Sequence, residues 1–98
     1  MTRDEALARL RPCESDLRLR GITALYLFGS VARGDNRPES DIDLACDIEE
    51  DYPVGLFAFS GIQSLLEQRI QATIDLVPRR SLRPRIRPFV EADMIKVF

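Results

Sequence analysis

Residues 41–48, "DIDLACDI", place two aspartates at alternate positions of an apolar run. Read as a strand, the run sets Asp41, Asp43, Ala45 and Asp47 on one face and Ile42, Leu44, Cys46 and Ile48 on the other. The apolar face can seat on a core. Asp41 and Asp43 then leave the opposite face with backbones roughly 6–7 Å apart. Carboxylates held that close repel unless one is protonated or a cation lies between them, and Mg²⁺ or Mn²⁺ suits an all-oxygen ligand set. The spacing is that of a metal site; taken alone, it is also that of an edge strand with a solvated face.

Upstream, "TALYLFG", residues 23–29, reads as a continuously apolar strand covered on both faces and ending at Gly29. Gly29-Ser30 followed by "VARG" has the form of a strand-to-helix turn, in which glycine lets the backbone approach a ligand and Ser30 opens a short helix. Free N–H groups at that helix start, the Ser30 hydroxyl and the Arg33 guanidinium one turn later make a phosphate cradle. A cradle of this kind followed closely by a carboxylate pair is the combination that nucleotide chemistry requires. The chain has no histidine, which excludes Ser-His-Asp and Cys-His catalysis and argues against zinc. Lys96 is the only lysine, so a lysine nucleophile is disfavoured.

The elements that must position these residues follow from periodicity. Residues 3–21 read as an N-terminal helix interrupted near Pro12 and closed by Gly21. A charged turn containing Pro53 and Gly55 leads to a helix over 56–70, with Leu56, Phe59, Ile62, Leu65, Leu66 and Ile70 near helical spacing. "ATIDLVP", residues 72–78, is an apolar run. The order is strand, short helix, strand, helix, strand. The tail predicts a short helix starting near Pro84 and disturbed by Pro88, then an extended "MIKVF".

At 98 residues the chain has room for one modest core, and a single domain over 1–98 is expected. No apolar stretch approaches the roughly 20 residues of a membrane span, and the charged N-terminus is unlike a signal peptide, so a cytoplasmic location is expected. Cys13 and Cys46 read as free thiols. Acidic residues crowd 39–51, whereas Arg79, Arg80, Arg83, Arg85 and Arg87 crowd 79–87. The arginine block suits a solvated surface, a docking face for an acidic partner, or RNA; it lacks the interleaved aromatics of single-strand stacking.

In Gly29-Ser30, Ala32-Arg33-Gly34 and Ser40-Asp41-Ile42-Asp43-Leu44, the chain resembles the DNA polymerase beta-like nucleotidyltransferase superfamily, and within it the minimal nucleotidyltransferases. The resemblance covers nearly the whole chain. It implies an α/β (α+β) fold, a small mixed β-sheet flanked by helices, and a third carboxylate from a later strand, for which Asp75 is the candidate. It also implies roles. Asp41, Asp43 and Asp75 would be catalytic ligands of two Mg²⁺ ions, while Gly29, Ser30 and Arg33 would bind the phosphates of ATP. The reaction implied is transfer of AMP to a hydroxyl with loss of pyrophosphate. Members of this group act as antitoxins that adenylylate HEPN-domain RNase toxins, on tyrosine, and a HEPN-domain protein is the partner implied here. Two alternatives stand beside it: a non-catalytic module that neutralises its partner by occlusion, and a small-molecule nucleotidyltransferase completed by oligomerisation.

Overall fold

The computed structural model describes residues 1–51 and 55–98. Four strands, β1 (Ile22–Phe28), β2 (Ile42–Ile48), β3 (Ile74–Pro78) and β4 (Ile95–Lys96), form one sheet in the order β3-β2-β1-β4. β1 runs antiparallel to both β2 and β4, and β2 runs parallel to β3. A parallel pair needs a long crossover, and α4 (Leu56–Ile70) lies in it. The α+β class with a mixed sheet is the one that the family resemblance implied.

One face of the sheet is the core. Leu25 and Leu27 of β1, Leu44 and Cys46 of β2, and Leu76 of β3 are buried on it. α1 (Arg3–Leu10) and α2 (Glu14–Leu19) add Leu7, Leu10 and Leu17 from the N-terminus. The 3₁₀ turn Arg11–Cys13 separates these two helices at Pro12, where the sequence places a break. α4 adds Ile62, Leu66 and Ile70, a stripe at four-residue spacing that keeps one helix face on the sheet.

The opposite face is only partly covered, which corrects one expectation. β1 is not sealed on both sides, because Tyr26 and Phe28 are half-buried while their neighbours Leu25 and Leu27 are fully buried. The tail departs as well. α5 spans Arg87–Asp93 with Pro88 in its first turn, so Pro88 starts the helix instead of disturbing it. A proline there loses no intrahelical hydrogen bond, and its fixed φ suits the first turn. Residues 83–86 form the turn before it, closed by Arg87 N–H donating to Arg83 O at 2.9 Å. Beyond α5 the chain is extended as expected, and β4 adds to the β1 edge. The turn expected through Pro53 lies outside the described residues. Among the described residues no helix is long and apolar enough to cross a membrane.

Candidate active site

Register brings the carboxylates together. Asp43 lies opposite Phe28 on β1 and opposite Asp75 on β3, so Phe28, Asp43 and Asp75 form one row across three strands on the partly open face. Asp41 sits one residue before β2, exposed, two positions from Asp43. Asp75 is also exposed and Asp43 is half-buried. The backbone on either side of Asp75 is clamped from the outer edge: Ile74 N–H donates to Glu67 Oε2 at 3.1 Å and Leu76 N–H to Gln63 Oε1 at 3.3 Å. Two α4 side chains thus satisfy the donors that an edge strand would leave open.

The Asp43 carboxyl is raised above the ordinary aspartate range, first by burial, then by the charges of Asp75 and Asp41, with Arg33 pulling the other way. Asp41 and Asp75 therefore both bear on the Asp43 carboxyl. Among the described residues, no group of three or more His, Cys, Asp or Glu side chains is placed so that it could already hold a metal ion. The carboxylates form an open shelf. A cavity of about 450 Å³ lies between the start of α1 and residues Gly34, Asn36 and Pro38, and none of the three aspartates lines it.

Gly29 is required by two constraints at once. Its φ is +76°, in the region that side chains disfavour. A Cβ built there would overlap the Asp43 carboxylate, whose Cγ would lie 3.1 Å away. The missing side chain therefore lets the turn lie directly against the acidic shelf. α3 (Gly29–Arg33) follows immediately and is anchored by buried Val31 and Ala32. Its cap residue, Phe28, makes no side-chain capping bond, which leaves the first-turn N–H groups without that partner. Ser30 is half-buried within that turn. Gly34, at φ +82°, closes α3 and donates to Ser30 O at 2.9 Å.

Arg33 is placed near the shelf, but its guanidinium is engaged. Nε donates to Asp35 Oδ2 at 3.1 Å and Nη1 to Asp93 Oδ2 at 2.8 Å. The second partner is 60 residues away, in α5. The sequence reading paired Arg33 with phosphate and did not anticipate either carboxylate.

A further cluster on the open face escaped sequence reasoning. Arg79 holds Asp47 with both ends of its fork, at 2.8 and 2.9 Å, and its guanidinium carbon lies 5.1 Å from the centre of the Tyr26 ring. The Tyr26 hydroxyl donates to Asp47 Oδ2 at 3.3 Å. The hydrogen bonds to Asp47 raise the Arg79 pKa further, so this arginine is a fixed cation. Period-two alternation carried the signal: Asp47 shares a face with Asp43, and Arg79 lies four residues past Asp75.

Comparison with known proteins gives the family of the chain. The family model described as a nucleotidyltransferase domain matches residues 8–97. The protein adenylyltransferase MntA of Thermococcus cleftensis is 32% identical over 98 residues, covering 99% of this chain and 97% of that one. A solved structure assigned as a minimal nucleotidyltransferase superimposes with a TM-score of 0.81 at 33% identity, covering 97% of this chain and 95% of the other. At the level of fold alone, the chain also resembles, at 19% identity and a TM-score of 0.67, a structure of the tri-AMPylated Shewanella oneidensis HEPN toxin in complex with its MNT antitoxin, covering 99% of this chain and 72% of that one. Because the family match runs from the first helix to the last strand and takes in the glycine turn and every aspartate of the shelf, the chain belongs to the nucleotidyltransferase domain family.

Proposed function

We propose that this chain transfers AMP from ATP to a tyrosine hydroxyl of a HEPN-domain toxin and acts as the antitoxin of that pair. The observation that carries the reading is the row of Asp43 and Asp75 with Gly29 pressed against Asp43. The 32%-identical relative named as a protein adenylyltransferase, and the fold shared with an antitoxin bound to an AMPylated toxin, support the acceptor class.

The donor chemistry fits Mg²⁺, although the side chains are not already gathered around one point: the donors are carboxylate oxygens, and the repulsion on Asp43 is of the kind that a divalent cation relieves. Asp41 and Asp43 would hold the ion that accompanies the triphosphate and share the catalytic one, which Asp75 would also ligate nearest the acceptor hydroxyl. Bound Mg²⁺ supplies charge neutralisation at the phosphates and favours the deprotonated acceptor oxygen. The α3 start and the Ser30 hydroxyl bind the β- and γ-phosphates, where Gly29 admits them without a side chain in the way. The acceptor oxygen bonds to the α-phosphorus, the bond to pyrophosphate breaks, and the hydroxyl proton is released.

A titration separates catalysis from occlusion. Sub-stoichiometric protein with ATP and Mg²⁺ should silence the RNase activity of many toxin copies, each gaining the mass of one or more AMP groups. The Asp41→Asn, Asp43→Asn double variant should fail in that assay. Equal protection by both proteins, needed in stoichiometric amounts and with no gain in toxin mass, would establish occlusion instead.

A further inference from the structure

The segment 79–89 is not absorbed by the chemistry above. It carries Arg79, Arg80, Arg83, Arg85 and Arg87 and no acidic residue. Arg79 is committed to Asp47, and Arg87 donates to Arg79 O at 3.0 Å. Arg80, Arg83 and Arg85 are exposed, and among the described residues no hydrogen bond or ion pair involves their side chains. Two large apolar side chains stand beside them in solvent: Phe89 is 75% exposed and Ile86 45%. A face that serves only solubility has no use for an exposed phenylalanine. Arginine with an exposed aromatic is the composition of an interface centre.

A cavity of about 290 Å³ opens in the same region, lined by Asp47, Arg79, Arg80, Arg87 and Glu91. Arg87 Nε is buried there without a hydrogen-bond partner, 3.8 Å from Glu91 Oε1. Glu91 pairs with the charge at a distance too long for a hydrogen bond, so this buried donor is left without one, and a carboxylate entering the cavity would supply it. The location fits the chemistry too. Arg79 opens the 3₁₀ turn Arg79–Ser81 directly after β3, four residues past Asp75 and roughly 13 Å away at the rise of an extended chain, so a protein resting on this segment could extend a side-chain hydroxyl to the acidic shelf.

We propose that residues 79–89 are the docking face for an acidic surface of the protein acceptor, with one of its Asp or Glu side chains seated in the cavity beside Arg87. This rests on reading the chain as a protein adenylyltransferase. Charge complementarity selects the partner: three unpaired arginines favour an acidic protein surface. A nucleic-acid strand would need aromatics interleaved along the block, where Phe89 stands alone beyond its end.

The test measures binding of the HEPN-domain toxin by calorimetry without nucleotide, using wild type, Arg83→Glu/Arg85→Glu, Phe89→Ala and the transfer-deficient Asp41→Asn/Asp43→Asn. The arginine and phenylalanine variants should bind roughly tenfold more weakly or worse, with the arginine effect shrinking at high salt, while the aspartate variant binds like wild type. In turnover, the KM for toxin should rise in the first two variants and the KM for ATP should stay put. Poly-L-glutamate should compete with the toxin. Toxin binding and KM equal to wild type in both docking variants would overturn the docking face and leave AMP transfer standing. So would competition by a single-stranded oligonucleotide but not by poly-L-glutamate, or loss of self-association with toxin binding intact. Weakened toxin binding in those variants, alongside a wild type that transfers no AMP, would support the face and remove the transferase reading.

Discussion

Asp43 and Asp75 are direct register partners in the parallel β2–β3 pair, so their carboxylates leave the sheet side by side on the face opposite the core. Burial and the neighbouring charges of Asp75 and Asp41 raise the Asp43 pKa. A carboxyl raised in the folded state contributes stability that is fully present below its unfolded pKa of about 4, and that is lost as pH rises through the folded value. In chelator, Asp43→Asn should therefore raise the neutral-pH Tm by on the order of a few degrees and flatten its fall above about pH 4. Mg²⁺ should then raise the Tm of wild type more than that of the variant. A variant with lower Tm in chelator at neutral pH would contradict the repulsion.

Replacing Asp75 by Asn should cost AMP transfer on the order of 100-fold or more with the fold retained, because an exposed strand residue is lost from the chemistry and not from the core. Gln63→Ala and Glu67→Ala should have smaller effects, about tenfold, since they loosen the β3 edge that aims Asp75. Rates matched to circular dichroism spectra would check both.

Gly29→Ala should be severe. The added methyl meets the Asp43 carboxylate and must adopt a φ of +76°, which together should destabilise by about 1–3 kcal/mol and abolish transfer. Combining it with Asp43→Gly, which removes the obstructing side chain, should recover part of the stability but none of the activity. Denaturant melts of the single and double variants measure the difference.

Arg33 is clasped by Asp35 and Asp93, so on the proposed reading a triphosphate would have to compete with two carboxylates for its guanidinium. Asp93→Asn should lower the KM for ATP and Arg33→Ala should raise it. An Asp93→Asn variant with a raised KM would instead make Asp93 the residue that aims Arg33.

The Cys46 thiol is pushed up to about 12, chiefly by burial, with the Asp47 charge adding and Arg80 opposing. Both cysteines are free and buried. Cys46 should resist thiol reagents at neutral pH in the native protein and react fully once denaturant opens the sheet. Rapid native labelling at Cys46, located by peptide mass, would refute that burial.

What the sequence determined by itself was local. The alternation of residues 41–48 assigns Asp43 to the face opposite Leu44, and the Gly29-Ser30 turn marks where β1 gives way to α3. Both rest on backbone rules that reach only a few residues. The family resemblance implied a third carboxylate and made Asp75 the candidate, but only the parallel register set it directly beside Asp43. Tertiary structure alone decided the rest. The extended "MIKVF" was legible in the sequence, but only pairing with β1 made its Ile95–Lys96 a strand of the sheet. The start of α5 was decided by where Pro88 falls in its first turn, so a residue that reads as a helix breaker became a helix opener. The pairs Arg33–Asp93 and Arg79–Asp47, which span 60 and 32 residues, depend on how the finished sheet brings α5 and β2 to the arginines, and no local pattern encodes a distance of that kind.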